Sequence, residues 1–239
     1  MVVVWVLGII AFGFFAQTVT GFALGLIVMP VLIHNMGLES SRVLMALVAT
    51  TGQLVLVIQL RKSLSPKAVG SLTLFSLLGI PLGNWIAESG VVTERGLLLT
   101  LGLIVTGYAL YALLAPRLPH LQNDRWSGPV GLISGIFTGA YNVGGPPVIV
   151  YADARRWPPD TLRSNLQGFF MFKGFVLIGV HAASGNFTAP IWGWYLLALP
   201  AIAVGLILGN LLAGKIPVAR FRQVVLVTLL VLGVQMIVG

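Results

Sequence analysis

The sequence predicts an all-α integral membrane protein with two inverted repeats and about eight membrane segments, six full crossings plus two broken, re-entrant hairpins. Composition is the first indication, because 57% of the 239 residues are hydrophobic and only 8% are charged. A soluble domain carries roughly 25% charged residues, so this much apolar surface requires lipid. Apolar segments of membrane-spanning length are the second indication, and sequence matches between the two halves are the third.

Six apolar segments have the length of about 20 residues that a helix needs to cross the hydrocarbon core. Two further apolar stretches are interrupted. The stretch over 2–33 is too long for one simple crossing and breaks at Thr20-Gly21, and the stretch over 128–151 breaks at 142–147. There two glycines precede two prolines, and a regular helix cannot continue. The six uninterrupted crossings are predicted at 43–60, 68–87, 96–115, 164–184, 190–213 and 221–238.

Four matches in the same chain order relate the two halves. We therefore predict a first half over 1–115, a cytoplasmic linker over 116–127 and a second half over 128–239, which together form one transmembrane domain. The matches pair Gly79–Ala87 with Gly205–Ala213 and Gly107 with Gly233 at an offset of 126, Glu39-x-x-Arg42 with Asp160-x-x-Arg163 at 121, and Thr20-Gly21 with Thr138-Gly139 at 118.

The positions of lysine and arginine select between two topologies. If all eight apolar stretches crossed once, five cations would lie on one side and eight on the other. If 128–151 instead returns to the side it entered from, eleven cations lie on one side and only Arg42 and Arg95 on the other. The positive-inside rule prefers the second topology. It inverts the two halves, makes the first stretch a hairpin open to the outside, and predicts periplasmic N- and C-termini.

The net charge of +8 has the same explanation, because lysine and arginine collect in cytoplasmic loops. No nucleic-acid partner is therefore expected, although such a charge would indicate one in a soluble protein. The expected surroundings are the lipid bilayer.

The two breaks are candidate walls of a binding site, because irregular backbone at membrane depth must be buried in protein or line a cavity. A half-helix that begins after a break directs its free N–H groups and positive dipole end inward, which favours an anion. For Asn142, Gly144 and Gly145 we favour this interpretation over close helix packing. For Gly21 and Gly25 both interpretations stay open.

Lys173 is the sharpest single candidate. It lies near the middle of the segment 164–184, where a lysine costs roughly 2.5–3.5 kcal/mol on insertion scales. No carboxylate lies at comparable depth in the sequence, which favours an anionic guest, and the structural alternative is a lysine that caps a hairpin carbonyl. Gln53 falls one residue from the repeat counterpart of Lys173, so the two are predicted to face each other. Asn84 and Asn210 are repeat-paired and are expected to join helices.

The polar inventory disfavours an enzyme. The apolar stretches contain no nucleophile–base pair and no close pair of carboxylates, and the histidines are not at metal-ligand spacing. We therefore expect no catalytic residue, no metal and no cofactor. The histidines are His34, His120 and His181.

Two glycine-rich stretches resemble the repeated signature of the TauE/SafE sulfite exporter family. They are Thr20-Gly-Phe-Ala-Leu-Gly-Leu-Ile-Val-Met-Pro30 and Gly135-Ile-Phe-Thr-Gly139-Ala-Tyr-Asn-Val-Gly-Gly-Pro-Pro147. Through the two-half organisation the resemblance covers nearly the whole chain. It implies transport of small sulfur-containing anions, such as sulfite or organosulfonates, across the bacterial inner membrane. It also implies that both stretches, including Tyr141, lie close to the substrate.

These inferences lead to the hypothesis of a secondary transporter that works by alternating access, with an anion site near the membrane midplane. A passive anion channel and a membrane assembly subunit without transport activity are the alternatives. The identity of the anion, the coupling ion, the direction of net flux and the oligomeric state stay open.

Overall fold

The computed structural model describes residues 2–114, 118–213, 215 and 217–238, and these residues form an all-α protein. Seven helices in this part of the chain are long and apolar enough to cross a membrane, and a shorter apolar helix, α2, accompanies them. The predicted all-α membrane fold is confirmed. The helices are α1 Val2–Thr20, α2 Leu24–Met36, α3 Leu38–Leu60, α4 Pro66–Glu88, α5 Glu94–Leu114, α6 Ser127–Tyr141, α7 Gly145–Ala154, α8 Pro159–Ala183, α9 Ala189–Leu212 and α10 Val218–Val238.

The six predicted crossings correspond to α3, α4, α5, α8, α9 and α10. The helices α3 and α8 begin at Leu38 and Pro159, five residues before the predicted crossings at 43 and 164. The first turns of α3 and α8 carry Glu39 and Asp160, acids that the sequence places at helix starts because they suit the positive end of the helix dipole. Arg42, in the turn that follows Leu38, is only 3% exposed, whereas Pro159 and Asp160 at the start of α8 are exposed.

The first interrupted stretch forms a hairpin of α1 and α2. The chain reverses at Gly21 and Ala23, both of which have φ of 89°. The N-terminal end of α2 returns alongside α1, where Gly13 leaves room for the side chain of Val28. At the open end, Trp5 of α1 and His34 of α2 line one cavity, so both arms begin and end on the same face. Although α1 has the length of a full crossing, it is therefore one arm of a hairpin, as predicted.

The second interrupted stretch forms a hairpin of α6 and α7 from the opposite face. It reverses at Asn142, which ends α6 in the left-handed conformation that asparagine tolerates. Its open end lies beside the start of α4, where the Ser127 and Ser71 hydroxyls are 2.7 Å apart. The Leu121 N–H also donates to the Ala154 carbonyl at the end of α7 over 3.0 Å. The two hairpins thus enter from opposite sides.

We call the side on which the α6–α7 hairpin opens the cation-rich face. Contacts at its edge join the end of α3 to the start of α8, through Ser164 Oγ and the Leu60 carbonyl at 2.8 Å. The face carries ten of the eleven cations that the topology grouped together, and Arg117 lies outside the described residues. The ten are Arg61, Lys62, Lys67, Arg125, Arg155, Arg156, Arg163, Lys215, Arg220 and Arg222.

Each hairpin packs mainly against a crossing helix of the other half: α1 against α9, and α6 against α4. Glycine permits the close approach, because a Cβ on Gly205 would collide with the backbone of α1 at Ala11 and a Cβ on Gly83 with α6 at Ile136. This exchange of hairpins ties the two halves together. The boundaries predicted for the halves at 115 and 128 stay predictions, and residues 115–117 lie outside the described part of the chain.

Candidate functional site

The two breaks meet at one small cavity inside the helix bundle. Its volume is about 40 Å³, enough for a few water molecules or one compact ion. The first turn of α2, the middle of α3, the 142–144 break, the first turn of α7 and the middle of α8 supply its walls. Six of the eight predicted site residues line it: Gly25, Gln53, Asn142, Gly144, Gly145 and Lys173.

The other two predicted residues, Gly21 and Tyr141, are not among the lining residues. Gly21 lies against α8, where a Cβ would come within 2.9 Å of Arg163 Cγ, and its carbonyl accepts a hydrogen bond from Gln167 Nε2 at 2.8 Å. Tyr141 is 4% exposed and belongs to the apolar core.

Lys173 supplies the charge of the cavity. Its side chain is 5% exposed, and its Nζ donates a hydrogen bond to Thr138 Oγ1 over 2.9 Å. The three ion pairs found among the described side chains use arginine only, so none of them neutralises Lys173. A buried ammonium with one neutral partner keeps unused donors, because the group carries three N–H bonds.

Two aromatic rings hold the Lys173 ammonium from the other side. The Nζ atom lies 4.6 Å from the ring centroid of Phe170 and 5.0 Å from that of Phe169. Both distances are within the range of cation–π attraction. These rings precede Lys173 by three and four residues, which places them on the same face of α8. They stabilise the cation without cancelling its charge.

Hydroxyl groups of α6 fix the second break next to Lys173. Ser134 Oγ donates to the Gly144 carbonyl, and Thr138 Oγ1 donates to the Ser134 carbonyl at 2.8 Å. Gly144 has no room for a side chain, because a Cβ there would overlap Thr138 Oγ1 and approach Lys173 Nζ to 2.7 Å. The missing side chain therefore lets the ammonium approach the backbone at the start of α7.

The start of α7 has no side-chain cap in the described structure. Its dipole directs partial positive charge into the cavity. Because Pro146 and Pro147 lack an N–H group, the amide donors available here come from Gly145 and the break before it. The first turn thus adds a weak positive potential to the full charge of Lys173.

The start of α2 differs, because a neutral side chain occupies it. Gln17 Oε1 accepts a hydrogen bond from the Leu24 N–H at 3.3 Å, and Gln17 Nε2 donates to Gln167 Oε1 at 2.9 Å. Gln167 in turn donates to the Gly21 carbonyl. Both glutamines are at most 2% exposed. These two side chains therefore satisfy the free backbone groups of the first break without an external ligand.

The wall that faces Lys173 is polar and uncharged. Gln53 is 7% exposed, and its Oε1 has no hydrogen-bond partner among the described residues. Thr50 also lines the cavity, with its hydroxyl donating to the Ala46 carbonyl at 2.6 Å. Gln53 and Lys173, which the sequence predicts to face each other, both line the cavity.

Arg42 lies beyond the cavity, towards the face opposite the cation-rich one. Its guanidinium donates to the Gly139 carbonyl at 2.7 Å and to Asn84 Oδ1, and it lies 3.8 Å from Glu88 Oε1. Asn142 Nδ2 donates to the Arg42 carbonyl at 3.4 Å. Arg42 therefore neutralises the carbonyl end of α6 and positions the second break. Asn84 joins two helices, as predicted, and so does Asn210 through Gln59 at 3.2 Å.

Sequence reasoning did not select several residues that line the cavity or contact Lys173. Gln17 and Thr50 stand out as polar residues in apolar runs, but nothing in the sequence distinguished them from structural residues. Thr138, the partner of Lys173, precedes the left-handed Asn142 by four residues, so helical periodicity places both on one face of α6. Phe169 and Phe170 could have been found from their spacing to Lys173 in the same way.

The described residues contain no group of three histidine, aspartate or glutamate side chains that could hold a metal ion. The arrangement can neutralise and orient a small anion through one ammonium, a few amide and hydroxyl groups and a helix N-terminus.

Comparisons with known proteins agree with this chemistry. The family model described as "Sulfite exporter TauE/SafE" matches residues 5–236. A relative from Cupriavidus necator, named probable sulfite/organosulfonate exporter TauE, is 26% identical over 94% of this chain and 89% of its own length. A relative from Comamonas testosteroni, named probable inner membrane transporter protein TsaS, is 27% identical over 71% of each chain. No solved structure matches the chain.

Proposed function

Because the chain belongs to the TauE/SafE sulfite exporter family, we propose that it carries a small sulfur-containing anion, sulfite or an organosulfonate, across the bacterial inner membrane by alternating access. The observation that carries this proposal is Lys173, a buried cation whose described surroundings are neutral and which lines a cavity between two helix breaks. Burying an uncompensated charge is expensive in a membrane. An anion bound beside Lys173 would neutralise the charge and so offset that cost.

The site would hold the anion through one charge and several dipoles. Lys173 Nζ supplies the charge, and the backbone at Gly144 and Gly145 supplies N–H groups and the positive end of α7. Gln53 and Asn142 can donate amide N–H bonds to further oxygens. A volume of about 40 Å³ favours a compact oxyanion and leaves little room for a large substituent.

The proposed orientation places the cation-rich face in the cytoplasm, following the positive-inside rule. Both chain termini then face the periplasm. An inside-negative potential drives an anion outward with about 2.3 kcal/mol per charge per 100 mV. Export therefore needs no coupling ion, and the proposal includes uniport.

Alternating access is supported by the architecture. The hairpins open to opposite faces, so that movement of the α1–α2 hairpin with α9 against the α6–α7 hairpin with α4 would expose the shared cavity alternately. A passive channel would use the same cavity without this movement. Counterflow separates the two, because a channel does not show exchange stimulated by unlabelled anion on the far side.

The test is counterflow of labelled sulfite in proteoliposomes, with sulfate, sulfonates and thiosulfate as competitors. Wild type is expected to show saturable exchange. Lys173→Gln is expected to lose at least about tenfold in rate, because a hydrogen-bonded charge contributes about 1.5–3 kcal/mol to binding. Lys67→Gln is the matched control, since it makes the same chemical change at an exposed position of the cation-rich face.

Retention of full exchange by Lys173→Gln would remove Lys173 from the site. Absence of exchange with every anion, in correctly inserted wild-type protein, would overturn the sulfur-anion proposal and favour the assembly subunit. Exchange that never saturates and shows no stimulation from the far side would favour the channel.

A further inference from the structure

The ring of Phe22 lies between the cavity and the cation-rich face. Phe22 follows the first break and lines the cavity, and it is only 3% exposed. On the other side of the ring lies the guanidinium of Arg222, whose Cζ is 5.7 Å from the ring centroid. The Arg222 side chain is 33% exposed, so water on that face reaches it. One aromatic ring therefore separates the buried cavity from a hydrated cation.

An ion pair holds Arg222 in this position. Its Nη2 donates to Asp153 Oδ2 over 3.4 Å, and the Asp153 side chain is 32% exposed. The pair joins α10 to the last turn of α7. Tyr108 of α5 supports the arrangement from the side, with its ring edge-on to Phe22 at 5.9 Å and an interplanar angle of 90°. Residues from three helices, α5, α7 and α10, thus surround the Phe22 ring, with Asp153 acting through Arg222.

The same short helix carries both the cavity wall and the ion pair. Gly145 begins α7 at the cavity, and Asp153 lies eight residues later, a rise of about 12 Å along one rigid helix. A guest that shifts the first turn of α7 therefore also moves Asp153 relative to Arg222.

We propose that the passage between the cavity and the cation-rich face runs past Phe22, and that the Arg222–Asp153 ion pair latches it shut. When the pair opens, Phe22 is released from the guanidinium, and Arg222 becomes the first cation that an anion meets before Lys173. Because the anion competes with Asp153 for the same guanidinium, substrate itself helps to open the latch. The identity of the passage as a substrate route rests on the function proposed above, whereas the barrier is a property of the structure alone.

The absence of cysteine from the chain permits a direct test of the barrier. Ala49 lines the cavity, and Ala49→Cys places a single thiol there. Its reaction with a small membrane-impermeant thiosulfonate is followed separately from each face of oriented membrane vesicles. Lys62→Cys, at an exposed position of the cation-rich face, verifies which face the reagent reaches.

Asp153→Asn is expected to accelerate labelling from the cation-rich face by about fivefold, as the loss of a partly exposed ion pair allows. Phe22→Ala should accelerate it further. Arg222→Gln should accelerate it as well, which distinguishes opening of the passage from simple attraction of the reagent by a freed arginine. Labelling from the opposite face should not increase in any of these variants. Exchanging the charges, with Arg222→Glu and Asp153→Arg together, should slow labelling again but not to the wild-type rate, because the ion pair is rebuilt without the guanidinium over Phe22.

A second ion pair on the same face is the matched control. Asp124 and Arg155 are 2.9 Å apart and join the segment before α6 to the end of α7. The guanidinium over the Phe22 ring belongs to Arg222 and not to this pair. Asp124→Asn should leave the labelling rate of Ala49→Cys unchanged. Equal acceleration by Asp124→Asn, or none by Phe22→Ala and Asp153→Asn, would overturn the proposed latch. Because labelling uses no substrate, either result is independent of whether sulfite is transported.

Discussion

The two helix breaks are related by the internal repeat, yet they satisfy their free backbone groups in opposite ways. At the first break, Gln17 and Gln167 hydrogen-bond the start of α2 and the Gly21 carbonyl, so the protein completes its own interactions with neutral amides. At the second break, α7 begins without a side-chain cap among the described residues, and the cation Lys173 lies beside it.

The repeat offset explains part of this difference. At the offset of 118, Gln17 corresponds to Gly135, whose Cβ position is filled by the backbone of α4 at Ser76. The second hairpin approaches its crossing helix too closely to hold a glutamine there. The first break therefore serves as a fixed support, whereas the second retains a positive charge that a guest can neutralise.

The most direct test of this difference between the two helix breaks is a glycine-to-alanine substitution at each of them. Gly144→Ala is expected to lower counterflow by roughly 100-fold, the loss that a displacement of about 1 Å can cause at a site. Its φ of −95° suits alanine, so the effect comes from the Cβ, which pushes against Thr138 Oγ1 and Lys173 Nζ. Gly25→Ala is the matched control, because its Cβ would meet the Asn142 carbonyl at 3.3 Å and Val143 Cγ2 at 3.8 Å, without the overlap found at Gly144. Equal losses in the two variants would show that both breaks contact the anion alike.

A smaller effect is expected from the threonines that the repeat pairs. Thr138→Val removes the acceptor of Lys173 Nζ and should raise the KM for exchange about tenfold. Thr20 bonds only to the backbone, at the Ala16 carbonyl and the Phe22 N–H. Thr20→Val should therefore change KM by less than roughly threefold. A larger shift in KM for Thr20→Val than for Thr138→Val would reverse the assignment of the two breaks.

The smallest effect on transport is expected from substitution of Gln17, which should instead lower the free energy of unfolding. Gln17→Leu leaves the Leu24 N–H and Gln167 without their partner, a loss of about 1–3 kcal/mol that should lower Tm by about 5 °C. The rise in Tm on adding sulfite should stay as in wild type. Gln53→Leu is the control for stability, since Gln53 Oε1 has no described partner to lose. A sulfite-induced rise in Tm that disappears with Gln17→Leu would place Gln17 in the anion site.

The sequence predicted those parts of the site that break a local pattern. Asn142, Gly144 and Gly145 interrupt an apolar helix, and Lys173 places a charge inside another, so each is visible without knowledge of its neighbours. The same reasoning predicted both hairpins and the opposite faces to which they open.

The pairing of these residues could not be predicted, because it depends on contacts between distant parts of the chain. Gln17 meets Gln167 across 150 residues, and Lys173 meets Thr138 across 35. The burial of Arg42 could not be predicted for the same reason, since its partners Asn84 and Gly139 lie 42 and 97 residues away. Gly21 was predicted as a site residue because a glycine there allows close approach. The group that approaches it is the Arg163 side chain and not a guest in the cavity.

The exchange of hairpins between halves also sets the order in which the protein can be built. The α1 helix ends at Thr20, and its main packing partner α9 begins at Ala189, which is synthesised 169 residues later. At typical elongation rates, α1 waits in the membrane for roughly 10–30 s before that surface exists. The second hairpin is thus synthesised after its partner α4, whereas α1 lacks its main partner α9 until the chain is nearly complete. A chain whose synthesis ends early therefore contains α1 without α9.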